Sequence, residues 1–142
     1  MTLGLVMPDV VKMLVGFYRA QPEVVALLGH PLSVRGKLAK DTQYPAIRIF
    51  RVTSQPVMAV PHYIEEAWVQ LDCYGGNNRQ AERLAQVARA ALCENGHNYS
   101  NSEGVIVGVR PLTMSDQPDE GFTPPRERYV VEMAVRVRPH PA

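Results

Sequence analysis

The chain has 142 residues, 46% of them hydrophobic and 20% charged, which predicts one ordinary domain, 1–142, with a real core. Fifteen basic residues against fourteen acidic ones leave a net charge of +1, without the basic surplus that phosphate contacts demand of a dedicated nucleic-acid binder. No apolar run approaches the roughly 20 residues of a membrane span, and Met1 to Met7 lacks the basic start of a secretory signal.

Pro8-Asp9 opens the first predicted helix, with proline at its first position and a carboxylate at the positive end of the dipole. Val10, Val11, Leu14, Phe17 and Tyr18 recur at helical spacing to about Ala20. Pro22-Glu23 restarts the helix through Val24, Val25, Leu27 and Leu28, and Gly29 ends it as a left-handed cap. A short strand fits near Ser33 to Leu38. Tyr44-Pro45 leads into a strand from Ala46 to Thr53, with Ile47 and Ile49 on one face and Arg48, Phe50 and Val52 on the other. Ser54 to His62 carries Pro56 and Pro61 around Val57, Met58, Ala59 and Val60. Proline donates nothing to a ladder, so this stretch reads as a long loop or a protruding hairpin tip, with an apolar tip unusual for a loop.

Tyr63 to Tyr74 is the longest strand pattern, and its two faces differ in kind. Ala67, Val69, Leu71 and Cys73 are apolar at period two; Glu66, Trp68, Gln70, Asp72 and Tyr74 form a polar face studded with aromatics. Trp68 either anchors an interface or fills a core beneath a second layer. Gly75-Gly76 is a tight strand-to-helix turn; the lysine and spacing of a phosphate-binding loop are missing. Asn77 or Asn78 caps the second main helix, whose buried stripe is Ala81, Leu84, Ala85, Ala88, Ala91 and Leu92 and whose end is Gly96. Arg79, Glu82, Arg83, Gln86 and Arg89 form its wet face. A polar loop, His97 to Glu103, precedes a strand from Val105 to Met114 in which Pro111 marks a bulge or an edge. Ser115 to Arg128 reads as a long charged loop, of the kind that is usually functional or mobile. Tyr129 to Arg138 closes the sheet, with Tyr129, Val131, Met133, Val135 and Val137 toward the core and Val130, Glu132, Ala134, Arg136 and Arg138 outward. The class is α+β: a mostly antiparallel sheet with two main helices on one face.

Length arithmetic adds a clue. The Tyr63–Tyr74 strand reaches roughly 40 Å at about 3.3 Å per residue, whereas the second helix covers roughly 25–30 Å at about 1.5 Å per residue. The hairpin therefore overhangs its helical cover, and exposed edges are managed by pairing or covering. A neighbouring subunit is a natural cover.

The search for chemistry finds none. His30, His62, His97 and His140 are scattered, with no second ligand at helical spacing. Glu65 and Glu66 are neighbours on a strand, so they point to opposite faces and cannot act as an acid/base pair. Cys73 and Cys93 lack metal-like spacing and read as buried reduced thiols. No nucleophile elbow gathers Ser, His and Asp. The residues show no catalytic motif and no metal-ligand spacing. What they offer is surface. Glu66, Trp68, Gln70, Asp72, Glu132, Arg136 and Arg138 are candidates for a subunit interface, because opposite charges across antiparallel strands pair favourably. A solvated sheet face fits the same pattern. Val57, Met58 and Val60 in one loop, and Asp116, Asp119, Glu120, Arg126 and Arg128 in the other, are candidate partner contacts.

From about Asp9 to Arg138 the chain resembles the tail terminator (tail completion) proteins of long, non-contractile-tailed bacteriophages. The resemblance is carried by Val24-Val25-Ala26-Leu27-Leu28-Gly29 ending the first helix and by Tyr44-Pro45-Ala46-Ile47 opening a strand. Val69-Gln70-Leu71-Asp72-Cys73-Tyr74-Gly75 then leads into the Ala81–Leu92 helix, and Asp116-Gln117-Pro118-Asp119 and Arg128-Tyr129-Val130-Val131-Glu132-Met133 follow. Ser54 to His62 and Phe122 to Arg126 lie outside the match and inherit no roles. The resemblance implies a small α+β subunit that forms a hexameric ring on the last ring of tail-tube subunits. It implies a ring that stops tube growth and presents a surface to the head-side connector. Genome DNA passes through the lumen without sequence-specific binding. It implies a virion tail or neck location after assembly in the host cytoplasm, with no membrane partner, cofactor or reaction. Two other readings are a head-completion or connector adaptor of the neck, and a small enzyme or ligand-binding domain.

Overall fold

The computed structural model describes residues 6–39, 42–57 and 63–140. In chain order the elements are α1 (Val10–Arg19), α2 (Pro22–Leu28), a 3-10 turn (Pro31–Ser33), β1 (Val34–Arg35), β2 (Ala46–Pro56), β3 (Glu65–Tyr74), α3 (Asn78–Asn95), β4 (Val105–Asp116) and β5 (Arg128–Arg138). The sheet runs β1-β2-β3-β5-β4; β1 pairs parallel to β2 and every other neighbour is antiparallel. The α+β architecture matches the expectation, with the first predicted helix divided into two.

Local chemistry sets the helix ends. Asp9 stands just outside α1 rather than in its first turn. Its carboxylate accepts the Lys12 N–H at 3.1 Å and so satisfies one of the helix's orphan donors, leaving Pro8 one residue upstream. Gln21 is extended, as the residue before a proline prefers to be, and Pro22 then takes the first position of α2. Gly29 ends α2 at φ 77°, a backbone that costs glycine nothing. Asn77 caps α3 by accepting the Gln80 N–H at 2.8 Å. Gly75 is required by space: a Cβ there would sit 2.6 Å from the Ala81 nitrogen.

All three helices cover one face of the sheet. Val10, Met13, Leu14, Phe17 and Tyr18 of α1, Val24 and Leu28 of α2, and the predicted Ala81-to-Leu92 stripe of α3 meet Ile47, Ile49, Val69, Leu71, Val131, Met133 and Val135. Nearly all of these side chains are excluded from water. Each large aliphatic one contributes about 1.5–3 kcal/mol of burial free energy, and together they are the main favourable term of the fold. The Tyr18 hydroxyl ties α1 to α3 by donating to the Ala88 carbonyl at 2.8 Å.

The strands are longer than predicted at two points. β2 does not stop at Thr53 but continues to Pro56, with Val57 N–H donating to Ile64 O at 3.0 Å. Antiparallel alternation then turns Pro56 toward the open edge, where no N–H is needed. A bulge between Arg51 and Thr53 resets the alternation and places Thr53 opposite Trp68. The predicted 115–128 loop is mostly ladder. β4 runs to Asp116, Gln117 N–H donates to Arg128 O at 3.0 Å, and Asp119 and Arg126 exchange both backbone bonds. Pro111 lies on the edge strand at a bulge, as predicted, opposite Met133. The N–H and C=O of Met133 serve β3 by the same alternation, so the Pro111 nitrogen also faces a free edge.

Candidate functional site: the helix-free sheet face and the projecting hairpin

The face away from the helices carries the outward residues of β2, β3, β5 and β4 in register. One row reads Thr53, Trp68, Ala134, Arg110; the next reads Gln55, Glu66, Arg136, Gly108. The predicted polar face of β3 is therefore real, but it is not simply wet. Glu66 is 5% exposed and Asp72 only 1%, because cross-strand arginines lie over them. This corrects the expectation that both carboxylates are presented outward.

Glu66 is the centre of one cluster. Arg136 Nε donates to its Oε2 at 3.0 Å, Arg110 Nη2 approaches Oε1 at 3.4 Å, and Trp68 Nε1 donates to Oε1 at 3.3 Å. The Arg136 hydrogen bond foremost, and the Trp68 bond and both guanidinium charges with it, hold the Glu66 carboxyl below the ordinary range against the cost of burial. Glu65, one residue away, points to the other side and pairs with Arg51 at 3.6 Å. The separation predicted for the two glutamates holds.

Asp72 is the centre of the second cluster. Gln70 Nε2 donates to it at 2.7 Å, and Arg128 and Arg48 stand at 3.6 and 4.0 Å. Arg128 also reaches Asp119 at 3.7 Å, and the Tyr74 hydroxyl donates to Asp119 at 2.8 Å. Burial, reinforced by that bond to Asp119, pushes the Tyr74 hydroxyl well up. Burial opposes ionisation of Asp119, but Tyr74, the Gly121 N–H, Arg128 and Arg48 outweigh it and hold the carboxyl low. Tyr44, Tyr74 and Phe122 meet edge to face at 5.7–6.2 Å, and the Arg126 guanidinium lies 3.6 Å from the Tyr44 ring centroid and 4.9 Å from that of Phe122. The β4–β5 tip is thereby folded over one end of the sheet face.

The candidate residues thus divide. Glu66, Trp68 and Arg136 are brought together; Gln70, Asp72, Asp119 and Arg128 are brought together at the other end. Glu132 makes no ion pair among the described residues and lies opposite Gln70. Arg138 pairs with neither Glu132 nor Asp72; its Nη1 donates to the Pro139 carbonyl at 3.3 Å. Asp116 accepts from Asn78 Nδ2 at 2.9 Å on the helix side, and Glu120 is exposed at the hairpin tip. Val57 is half-buried; Met58 and Val60 lie outside the described residues. Cys73 is buried as predicted, but Cys93 is exposed in the last turn of α3. Sequence reasoning missed Arg110 and the Tyr44–Phe122–Arg126 stack. Arg110 joins Glu66 only because a bulge between Ile106 and Gly108 shifts the alternation of β4, and a bulge leaves no short-range mark.

Beyond the bulge at Arg51/Thr53 the β2 edge of the sheet is open to solvent, while β3 stays paired with β5 as far as Glu65. Arg51, Val52, Thr53, Gln55 and Pro56 are exposed, Val52 to 54%, and Trp68 is 37% exposed beside them. Among the described residues, no group of His, Cys, Asp or Glu could hold a metal ion, and no helix is long and apolar enough to cross a membrane.

The described residues thus form an α+β fold with a mostly antiparallel sheet whose helix-free face carries two ion-pair clusters. The family model for tail completion protein gp17 matches residues 12–138, nearly the whole chain, and the chain belongs to that family. It is accordingly a structural protein of the bacteriophage virion, located in the tail. No curated protein sequence matches it. Among solved structures, a chain from the virion of a native gene transfer agent (GTA) particle has the same fold. The TM-score is 0.61 at 16% identity, over 88% of this chain and 91% of that one.

Proposed function

We propose that the chain is the ring-forming subunit that closes a phage tail tube. Six copies seat on the last ring of tube subunits, stop polymerisation and offer the opposite side of the ring to the head-side connector. Genome DNA passes through the lumen without sequence-specific contact. The observation that supports this reading best is the open far end of β2, exposed at Arg51, Val52, Thr53, Gln55 and Pro56 beside Trp68. Exposed strand of this length calls for a cover, and in a virion protein the cover available is another subunit. Val57, together with Met58 and Val60, which lie outside the described residues, and Asp116, Asp119, Glu120, Arg126 and Arg128 are the candidate contacts to tube and connector. Incubating the purified chain with growing tail tubes, followed by negative-stain imaging and mass photometry, tests the proposal. Capped tubes that no longer elongate, and a cyclic particle at the cap, are expected. A chain that stays monomeric and leaves tube growth unchanged would overturn it, and attachment to portal-bearing heads instead of tubes would move it to the connector side of the neck.

A further inference from the structure

We propose that successive copies engage knob into groove, with the Trp68 patch of one copy seated between α2 and α3 of the next. The inference rests on the ring reading above and specifies the contact that builds the ring.

The sheet edges are poorly suited to that contact. Pro56 and Pro111 each turn a nitrogen without hydrogen toward a free edge, and each strand is also bulged, at Arg51/Thr53 and at Pro111/Thr113. Extending the ladder into a second copy would break at these points. The faces are better suited. On the helical side, a groove of about 590 Å³ between α2 and α3 is lined by the less exposed Leu27, Val87 and Ala91 and by the exposed Ala90, Glu23, Arg83 and Glu94. None of the three charges has an ion-pair partner among the described residues.

On the helix-free side, Trp68 stands between Thr53 and Ala134 in its row, two small cross-strand neighbours. Its one polar atom is already bonded to Glu66, so what it offers is chiefly carbon. Around it, the side chains of Arg110 and Arg136 are 59% and 52% exposed, while the carboxylate they share is 7% exposed. The knob therefore presents an indole flanked by two guanidiniums over one covered carboxylate. The groove presents an apolar lining flanked by two carboxylates and one guanidinium. Charge and apolar surface are complementary between knob and groove, and like charges oppose knob meeting knob. Knob and groove lie on opposite layers of the fold, so each copy uses one toward each neighbour. That is a heterologous contact, and it closes into a ring when its rotation divides the circle.

Two single substitutions test this, read by mass photometry of the full chain, alone and with tail tubes. Trp68→Ala breaks the knob. Ala90→Arg fills the groove at an exposed helical position that tolerates arginine. Each variant alone should lose rings at concentrations where the unmodified chain forms them. An equimolar mixture should give dimers and nothing larger, since one intact knob and one intact groove remain. Circular dichroism checks that each variant is folded, and Glu23→Lys with Glu94→Lys is the second groove variant should Ala90→Arg fail to fold. Arg110→Glu, which reverses one of the charges flanking the indole, is its counterpart for the knob. Rings from either folded variant, or a mixture that behaves as the sum of its parts, would overturn the knob-and-groove contact and leave the ring reading intact. An unmodified chain that forms no ring under either condition would overturn both.

Discussion

The two halves of the β2–β3 ribbon are built differently. From Ala46 to Phe50, opposite Gln70 to Tyr74, the ribbon has cover on both faces: α1 and α3 on one, and the Asp72 network with the Tyr44–Phe122–Arg126 stack on the other. Past the bulge at Arg51/Thr53, the β2 side chains Thr53, Gln55 and Pro56 meet solvent, whereas Glu66 and Ala67 of β3 stay buried and β3 keeps its pairing with β5. One continuous strand, β2, thus serves as core at one end and as surface at the other. The changeover falls where a single inserted residue resets which side chains face which layer.

Substitutions along the ribbon separate the halves. The largest effect belongs to the doubly covered half. Leu71→Ala, at a position with no exposure, should lower the free energy of unfolding by about 2–5 kcal/mol in urea titration. Val52→Ala, in the open half, should change it by less than about 0.5 kcal/mol. Equal losses at the two sites would erase the distinction. Asp72→Ala should come next, at about 2–3 kcal/mol, because it removes a buried carboxylate from Gln70, Arg48 and Arg128 together. Arg48 is 40% exposed and can rehydrate, which limits the loss.

A smaller effect than at Leu71 or Asp72 belongs to the Glu66 clasp, and it depends on pH. The folded chain holds this carboxyl below its unfolded value of about 4.3, so its contribution is fully present above that value and is lost as pH falls through the lower, folded one. Glu66→Gln should therefore cost about 1 kcal/mol near pH 7, and the gap to the unmodified chain should narrow as pH falls below the unfolded value. A gap that is constant with pH would show that Glu66 acts through packing rather than charge.

Much of this architecture was legible from residue patterns alone. The α3 stripe from Ala81 to Leu92, the Gly29 cap, the core faces of β3 and β5 and the edge position of Pro111 follow from periodicity and backbone chemistry, which act over a few residues. The ends of β2 and β4 did not follow, because a proline inside a strand is excluded only where its nitrogen faces a partner, and that depends on strand order. The burial of Glu66 and Asp72 was equally out of reach. It is caused by arginines 44, 56 and 70 residues away in the chain, Arg110 and Arg136 for the first and Arg128 for the second. The polar face was visible in the sequence; its internal pairing was not. Cys93 misled for the opposite reason: a residue type usually buried sits on the outer turn of a helix whose other side is the core.

The edge prolines bear on the life of the free subunit before it joins a tail. A protein stored in quantity with two bare strand edges risks stacking into fibrils. Pro56 and Pro111 interrupt the donor pattern that such stacking would copy. Replacing either proline by a residue with an N–H would restore a donor to that edge, and the variant should precipitate at a lower concentration than the unmodified chain.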